Sequence, residues 1–450
     1  MMNNERRTTK SESGARRCAL DILCRVENGA YANPLIESSR SSQELNSSDS
    51  NLLQNLVLGT LTWQGTIDHL LSPYLKKPLS ELSSSLRNIL RLGVYQLRYL
   101  DRIPAYAVVS QSVDAARGRD GDGAAGFVNA VLRGVSEDRQ PVQLPDSKSD
   151  PSRFLSLETS HPEWMVARWI RRWGFEETRR LCEFNNARPS VTIRANPSLA
   201  SPAALQSQLK TEGIRVEPSS LVEGYFIVPK VGALFRTQAF KSGWFSVQGE
   251  GAGLVIAYLD PRPGERILDL CSAPGGKATA AAEKMKQRGL VLAVDLHAGR
   301  LRRLRQNLGR LRQTTVVPVI ADGRLLPTRP AFHRVLVDAP CSAIGVLSHH
   351  PERRWTLEES DLPGLIDRQL ELIKAAADQV LPGGVLVYST CSLEPEENEG
   401  VVEAFLDARA DFRLDSAPDL LNPDVSGPYL QTLPQRHGCD GAFAARFEKG

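Results

Sequence analysis

The chain has 450 residues, of which 41% are hydrophobic and 24% are charged, and its formal net charge is +3. This length and composition are typical of a globular protein with two or three cores, and no apolar run approaches the roughly 20 residues of a membrane span. The N-terminus also lacks a signal-peptide apolar region, so we expect a cytoplasmic protein. A charge of +3 is too small to establish a nucleic-acid partner by itself.

Seven cysteines lie far apart along the chain, and no two of them have C-x-x-C spacing: Cys18, Cys24, Cys182, Cys271, Cys341, Cys391 and Cys439. This spacing argues against a zinc site and against a disulfide framework. We therefore expect no metal, and free thiols in a reducing compartment.

The first part of the chain, residues 14–140, is predicted to be an all-α domain. Apolar residues recur at helical spacing, as at Leu53, Leu56 and Leu61, and strand signals are absent. A stretch rich in Pro, Ser and Asp, residues 140–151, is predicted to be a linker.

Residues 150–242 are predicted to form a small α+β module. A basic helix follows Trp164, and residues 190–196 and 225–229 have the β-branched and aromatic pattern of strands. A helix is expected between these strands at 202–212.

From residue 243 to residue 450 strands and helices alternate, which predicts a Rossmann-like α/β domain with a parallel sheet. The predicted strands are 266–271, 290–295, 315–320, 334–338 and 385–390, with 442–447 as an antiparallel edge. The predicted helices are 277–287, 298–311, 362–380 and 396–408. Pro382-Gly383-Gly384 is expected to end the third of these helices.

The loop that joins the first of these strands to its helix contains Asp269 and the run Cys271-Ser272-Ala273-Pro274-Gly275-Gly276-Lys277. Paired glycines allow close approach of a ligand to the backbone, and the next strand ends in Asp295, which could bind ribose hydroxyls. An adenosine-bearing cofactor is therefore expected. The loop lacks G-x-G-x-x-G spacing, so NAD is the weaker interpretation, and an ordinary Gly-Gly turn is the alternative without a ligand.

Two further strand ends carry a thiol, in Asp338-Ala339-Pro340-Cys341-Ser342 and in Ser389-Thr390-Cys391-Ser392. Because ligands of such sheets bind at the carboxyl ends of the strands, both thiols are expected to face the cofactor loop. A single cysteine there could be a small buried apolar residue, but two favour thiolate chemistry. The residues alone do not say which thiol attacks.

These motifs, together with the run from Ser392 to Glu399, resemble the RNA (cytosine-5) methyltransferases that use S-adenosylmethionine. With its helical N-terminus the chain is similar to the RsmB/Sun family of bacterial rRNA methyltransferases. The resemblance implies a NusB-like RNA-binding domain, an RRM-like RNA-binding module, and a methyltransferase domain. It also implies a 16S rRNA substrate before subunit assembly, and we expect a monomer.

By the same resemblance, Cys391 is the attacking thiolate, Cys341 assists release of the product, and Asp338 stabilises the adduct at ring nitrogen 3. The implied cofactor contacts are Cys271, Ser272, Ala273, Pro274, Gly275, Gly276, Lys277, Asp295, Asp322 and Asp338. Lys277 could instead contact the base or be a solvated lysine. Asp322 could be a simple turn residue, and Cys271 could serve packing alone.

Basic residues after Cys341, including Arg353, Arg354 and the adjacent Trp355, could clamp RNA, as could six arginines between residues 300 and 312. The chain departs from the family pattern at Ala343, Ser348 and Gly249, where the family usually has Gly, a basic residue and an acid. The alternatives are a non-catalytic rRNA-binding assembly factor, a tRNA cytosine-5 methyltransferase, and a small-molecule methyltransferase.

Overall fold

The computed structural model describes residues 5–42, 45–138, 142–326, 331–415, 425 and 427–450. It divides into two compact units: residues 1–187 together with 347–357, and residues 188–346 together with 358–450. The predicted end of the helical domain at residue 140 lies outside the described residues. The other predicted domain boundaries remain predictions.

In chain order the helices are α1 (Glu5–Glu27), α2 (Ala32–Ser42), α3 (Ser47–Thr62), α4 (Gln64–Leu71), α5 (Ser84–Tyr99), α6 (Ala105–Asp120), α7 (Asp122–Glu137), α8 (Pro151–Thr159), α9 (Glu163–Trp173), α10 (Phe175–Asn186), α11 (Pro202–Thr211), α12 (Gln238–Lys241), α13 (Glu250–Leu259), α14 (Gly276–Lys284), α15 (Ala298–Arg310), α16 (Arg353–Thr356), α17 (Leu362–Ala377), α18 (Glu399–Ala408) and α19 (Pro434–His437). The strands are β1 (Val191–Ala195), β2 (Glu217–Pro218), β3 (Tyr225–Val228), β4 (Phe245–Val247), β5 (Arg266–Leu270), β6 (Leu290–Asp295), β7 (Val316–Ile320), β8 (Phe332–Asp338), β9 (Val380–Thr390), β10 (Phe412–Leu414), β11 (Leu430–Thr432) and β12 (Ala442–Lys449).

The first unit is helical, as predicted, and is built around an apolar core contributed mainly by α1, α3, α5 and α7. Leu53, Leu56 and Leu61 are all buried in this core, because positions three and eight residues after Leu53 lie on the same face of a helix. Among the described residues, no helix has both the length and the apolar character needed to cross a membrane.

The first unit also contains the segment 347–357, which follows the Cys341 loop in sequence. The Arg354 side chain is buried there and donates to the carbonyl oxygens of Thr62 (3.1 Å), Ser160 (3.1 Å) and Asn185 (2.8 Å). Backbone carbonyls at helix ends lack intrahelical partners, so a guanidinium with five donors can satisfy several of them at once.

The second unit contains two sheets, the smaller of which is antiparallel with strand order β2-β3-β1-β4. Its strands β1 and β3 and its helix α11 lie where the sequence predicts a small α+β module. The fourth strand, β4, pairs with β1 and lies beyond residue 242, where the module is predicted to end. Three residues of strand give too short a pattern to be recognised in sequence.

The larger sheet has the order β10-β12-β9-β8-β5-β6-β7, and β11 also pairs with β12. Strands β5 to β9 pair in parallel, which confirms the Rossmann-like prediction. The prediction that 442–447 forms an edge is wrong, because β12 lies between β9 and β10 and pairs antiparallel with both.

Helices cover both faces of this sheet. Ile267 packs on the side of α13, α14 and α15, whereas the next residue, Leu268, packs on the side of α17. Pro382-Gly383-Gly384 does not end a helix but lies inside β9, where the pairing with β8 shifts register. An irregularity of this kind accommodates a proline that cannot donate to the ladder.

Candidate active site

The carboxyl ends of the parallel strands β5, β6, β8 and β9 form the candidate active site. In the ladder Asp269 pairs with Leu336, Asp338 pairs with Ser389, and Asp295 ends β6. The structure thus brings the predicted acids to one edge of the sheet. Cys341 and Cys391 follow at the ends of β8 and β9.

The loop after β5 turns tightly into α14. Gly275 has a φ of +96°, and a Cβ at this position would lie 2.1 Å from Leu304 Cδ1. The Gly275 amide donates to the Ser272 carbonyl at 2.7 Å, which closes the turn. Only glycine fits this backbone, so the loop presents the start of α14 at the edge of the sheet.

Asp269 is buried beneath this loop. Burial raises the pKa of its carboxyl to about 7, although a hydrogen bond from Ser272 Oγ to Oδ2 at 2.7 Å opposes the rise. Its other oxygen, Oδ1, is buried without a hydrogen-bond partner in the described part of the chain. Burial likewise raises the pKa of the Cys271 thiol to about 12, so this cysteine does not supply a thiolate at neutral pH.

Asp295 is held by the cofactor loop and by its own turn. Its Oδ2 accepts from the Ala273 amide at 3.2 Å, and its Oδ1 accepts from the His297 amide at 2.9 Å. Leu296 and Ile320 lie beside it at the ends of β6 and β7 and are both more than half exposed. A carboxylate flanked by exposed apolar side chains fits an adenosine group.

Asp322 lies two residues beyond β7 and pairs with Arg324, with Oδ2 2.7 Å from Nη2. The hydrogen bonds from Arg324 lower the pKa of Asp322 to about 2. These local bonds are those of a turn aspartate. The predicted contact of Asp322 with the cofactor remains a prediction.

The two predicted thiols lie together, with Cys341 Sγ 3.3 Å from Cys391 Sγ. Their hydrogen bond, together with burial, raises the pKa of Cys341 well above its usual value. The contact and burial therefore disfavour a thiolate at Cys341.

A lysine–aspartate pair lies next to the thiols. Lys277 Nζ is 2.7 Å from Asp338 Oδ1, which also accepts from Ser389 Oγ at 3.0 Å. Burial disfavours the charged amine, but Asp338 outweighs it and holds the pKa of Lys277 above its usual value. The negative charge of Cys391 acts in the same direction, so Lys277 lies close enough to stabilise a Cys391 thiolate.

Two sets of residues at the site escaped the sequence analysis. Beneath the thiols, the carboxylate of Glu397 binds residues that follow each cysteine, and Gln369 donates to it at 2.8 Å. Glu397 belongs to a run that carried the family resemblance, but nothing in the sequence indicates a role for Gln369. Arg194 of β1 donates to Gly276 O at 2.9 Å and pairs with Glu283, without any motif to mark it.

The predicted RNA clamp after Cys341 is wrong for Arg354, and the partly buried Trp355 also binds within the first unit. The Arg354 side chain is buried within the first unit, and Trp355 Nε1 donates to the Leu61 carbonyl at 2.6 Å. Two of the six clustered arginines are likewise engaged within the second unit. Arg300 donates to Ala273 O at 2.9 Å, and Arg310 lies 4.2 Å from the centroid of the Phe240 ring.

Three family models match the chain. The model described as 16S rRNA methyltransferase RsmB/F matches residues 256–448, and the NusB family model matches residues 13–137. A model of the ferredoxin-like domain of RsmF/B-like methyltransferases matches residues 161–230.

Relatives match the chain over almost its full length. A probable ribosomal RNA small subunit methyltransferase B of Bacillus subtilis is 37% identical over 97% of this chain and 99% of its own. The ribosomal RNA small subunit methyltransferase B of Vibrio cholerae is 33% identical over 90% and 91%. The crystal structure of PH0851 superposes with a TM-score of 0.85 at 26% identity, covering 97% of this chain and 99% of that one.

Proposed function

The chain belongs to the RsmB/F family of 16S rRNA methyltransferases, and from this premise we propose that it methylates carbon 5 of a cytosine in small-subunit rRNA. The observation that carries the proposal is the 3.3 Å contact between Cys341 and Cys391 beside the Lys277–Asp338 pair. Carbon 5 of cytosine is too electron-poor to take a methyl group directly. A thiolate that adds to carbon 6 makes carbon 5 nucleophilic.

The proposed roles follow from the geometry of the pair. Cys391 attacks carbon 6, the role that the family resemblance gives it, and the raised pKa of Cys341 disfavours that thiol as the nucleophile. Lys277 favours that thiolate by its positive charge. After methylation, a base must remove the proton on carbon 5 so that the bond from carbon 6 to Cys391 Sγ can break. Cys341, 3.3 Å from that sulfur, assists this release.

Asp338 is assigned to the pyrimidine ring. Lys277 and Ser389 both bind its Oδ1, so we assign Oδ2 to the edge of the ring that carries nitrogen 3. Nitrogen 3 is an acceptor, so this role requires a proton on Oδ2, which Asp338 donates to nitrogen 3 as electron density moves from carbon 6 into the ring, and this stabilises the adduct.

The cofactor implied by the family is S-adenosylmethionine, which supplies the methyl group when it is bound. The chain's residues fit it: the buried Oδ1 of Asp269 lacks a partner among the described residues, and the loop 271–277 leads into the start of α14. We assign Asp295 to the ribose, and Leu296 and Ile320 to the adenine.

The substrate is proposed to be rRNA before assembly of the subunit. The target base must leave any stack for Cys391 to reach carbon 6, which favours a loop or an unfolded segment. The free thiols favour the reducing cytoplasm as the place of this reaction. A single chain carries all of the assigned residues, so we propose a monomer.

The test is methyl transfer from labelled S-adenosylmethionine to 16S rRNA free of protein, with mass-spectrometric identification of the methylated nucleoside. Cys391→Ala should abolish 5-methylcytosine, whereas Cys341→Ala should accumulate a covalent protein–RNA adduct. The reverse pattern would exchange the roles of the two thiols. Assembled small subunits and tRNA are assayed separately as alternative substrates.

The result that contradicts the proposal is a wild-type protein that binds 16S rRNA but transfers no methyl group. Such a protein would be an assembly factor. Methylation of tRNA but not of rRNA would change the substrate and retain the chemistry. Modification of a nucleotide position other than carbon 5 would refute the thiol mechanism.

A further inference from the structure

We propose that Glu397 is a positioning residue that holds the two thiols at reacting distance. The inference rests on the proposed thiol chemistry and adds a residue to which the family comparison assigns no role. Glu397 touches neither sulfur directly. It binds the residues next to them, so its action on the reaction passes through Cys341 and Cys391.

The carboxylate of Glu397 joins the two loops that carry the thiols. Its Oε1 accepts from the amide of Ser342, the residue after Cys341, at 2.9 Å. Its Oε2 accepts from the hydroxyl of Ser392, the residue after Cys391. The two serine hydroxyls are themselves 2.9 Å apart. One side chain thus ties both loops at the position next to each cysteine.

Glu397 is in turn held in place by β9 and by α17. Tyr388 Oη donates to its backbone carbonyl at 2.6 Å, and Gln369 Nε2 bridges its Oε1 to the carbonyl of Pro340, the residue before Cys341. The next residue, Asn398, accepts from Thr390, which precedes Cys391. The chain on both sides of each thiol is therefore bonded to this segment or to its direct partners.

Burial makes this arrangement depend on charge. Glu397 has no exposed surface, and its side chain meets three donors, from Ser342, Ser392 and Gln369. An ionised carboxylate accepts from all three. Its negative charge also contributes to the raised pKa of Cys341, after the larger effects of Cys391 and of burial. Glu397 therefore acts on the distance between the thiols and on the pKa of Cys341.

The experiment compares Glu397→Gln, Glu397→Ala and the control Glu403→Gln, which makes the same change at an exposed position of α18. Glutamine can still accept from Ser342 and can donate to Ser392, so Glu397→Gln should stay within about tenfold of the wild-type kcat. Alanine frees both loops, and because misplacement by about 1 Å can cost about 100-fold, we expect a loss of that size in kcat with little change in KM. Glu403→Gln should match the wild type.

A second measurement needs no RNA and so separates this inference from the proposed function. Alkylation of Cys341 by iodoacetamide is followed against pH by peptide mass spectrometry. Removal of the neighbouring negative charge lowers the pKa of a thiol, so the Cys341 midpoint should move to lower pH in Glu397→Gln. A structural role without electrostatic coupling would leave the midpoint unchanged.

Several outcomes would overturn the inference. They are a Cys341 midpoint in Glu397→Gln equal to that of the wild type, a wild-type kcat in Glu397→Ala, or a loss confined to KM. If Glu397→Ala does not fold, Ser392→Ala removes the donor to Oε2 and should likewise lower kcat. Failure of the wild type to methylate cytosine refutes the proposed function, whereas the alkylation profile still tests Glu397.

Discussion

Replacement of Arg194 by methionine should destabilise the second unit and loosen the start of α14, the helix that follows the loop 271–277. The guanidinium binds Glu283 through Nε at 2.9 Å and Nη2 at 3.0 Å, and both side chains are more than nine-tenths buried. Removing one member of such a pair leaves the other charge buried, at a cost of about 3–5 kcal/mol. The lost bond to Gly276 O should also weaken cofactor binding.

The size of the loss should depend on pH. Burial already raises the pKa of Glu283, and Arg194 opposes that rise. Without Arg194 the folded-state pKa of Glu283 rises further above its unfolded-state value. Protonation of Glu283 at low pH therefore removes the unpaired buried charge. The deficit of the variant is therefore largest above the folded-state pKa and shrinks as pH falls toward the unfolded one.

The assay is urea unfolding of the cofactor-free protein at several pH values, with hydrogen exchange of α14 peptides to follow the second unit. The double variant Arg194→Met/Glu283→Gln removes the buried charge and should regain most of the loss. Equal losses in the single and double variants, or a deficit that does not change with pH, would refute the assignment to an unpaired Glu283.

Three further outcomes are expected. Burial raises the folded-state pKa of Asp269 from 3.8 to about 7, so ionisation of this carboxyl destabilises the fold as pH rises through that window, by up to about 4 kcal/mol. Asp269→Asn should abolish this pH-dependent loss of stability. Urea unfolding of both proteins at pH 5 and pH 8 measures it. Arg354→Lys should destabilise the first unit almost as much as Arg354→Ala, by about 1–3 kcal/mol, because an ammonium cannot reach all the acceptors of a guanidinium fork and leaves buried carbonyls unsatisfied. Thermal unfolding of both variants tests this. Ala343→Gly should raise stability by up to about 1 kcal/mol, because Ala343 has a φ of +60°; a lower melting temperature would contradict it.

Local pattern predicted much of the α/β domain. The runs ending in Asp269 and Asp295 gave strands within one residue of β5 and β6, because each is a buried apolar segment bounded by turn residues. The position of β12 could not be predicted in the same way. Strand order is set by contacts distant in sequence, and its outer neighbour β10 has only three residues.

The sequence analysis of the site failed where a side chain's partners lie far away in the chain. Arg354 and Trp355 are residue types expected in an RNA-binding loop. Both nevertheless bind helix carbonyls, 292 and 294 residues earlier in the chain. Arg194 occurs in an ordinary strand pattern, and its partner Glu283 lies 89 residues later in the chain. Charge and aromaticity along the chain indicate what a residue could bind, whereas its neighbours in the fold decide what it does bind.

The pairing of β8 with β9 explains why two cysteines 50 residues apart lie in contact. Asp338 and Ser389 are opposite each other in this parallel ladder, so the loops that follow begin at the same level of the sheet. Cys341 and Cys391 come three and two residues later, and Glu397 bonds to the residue after each of them. A slip of one residue in this register would turn Ser389 away from Asp338 and would carry Cys391 to a different level from Cys341. The thiol pair thus depends on the register of the sheet, and the hydrogen bonds around Glu397 add the local restraint that the register alone does not provide.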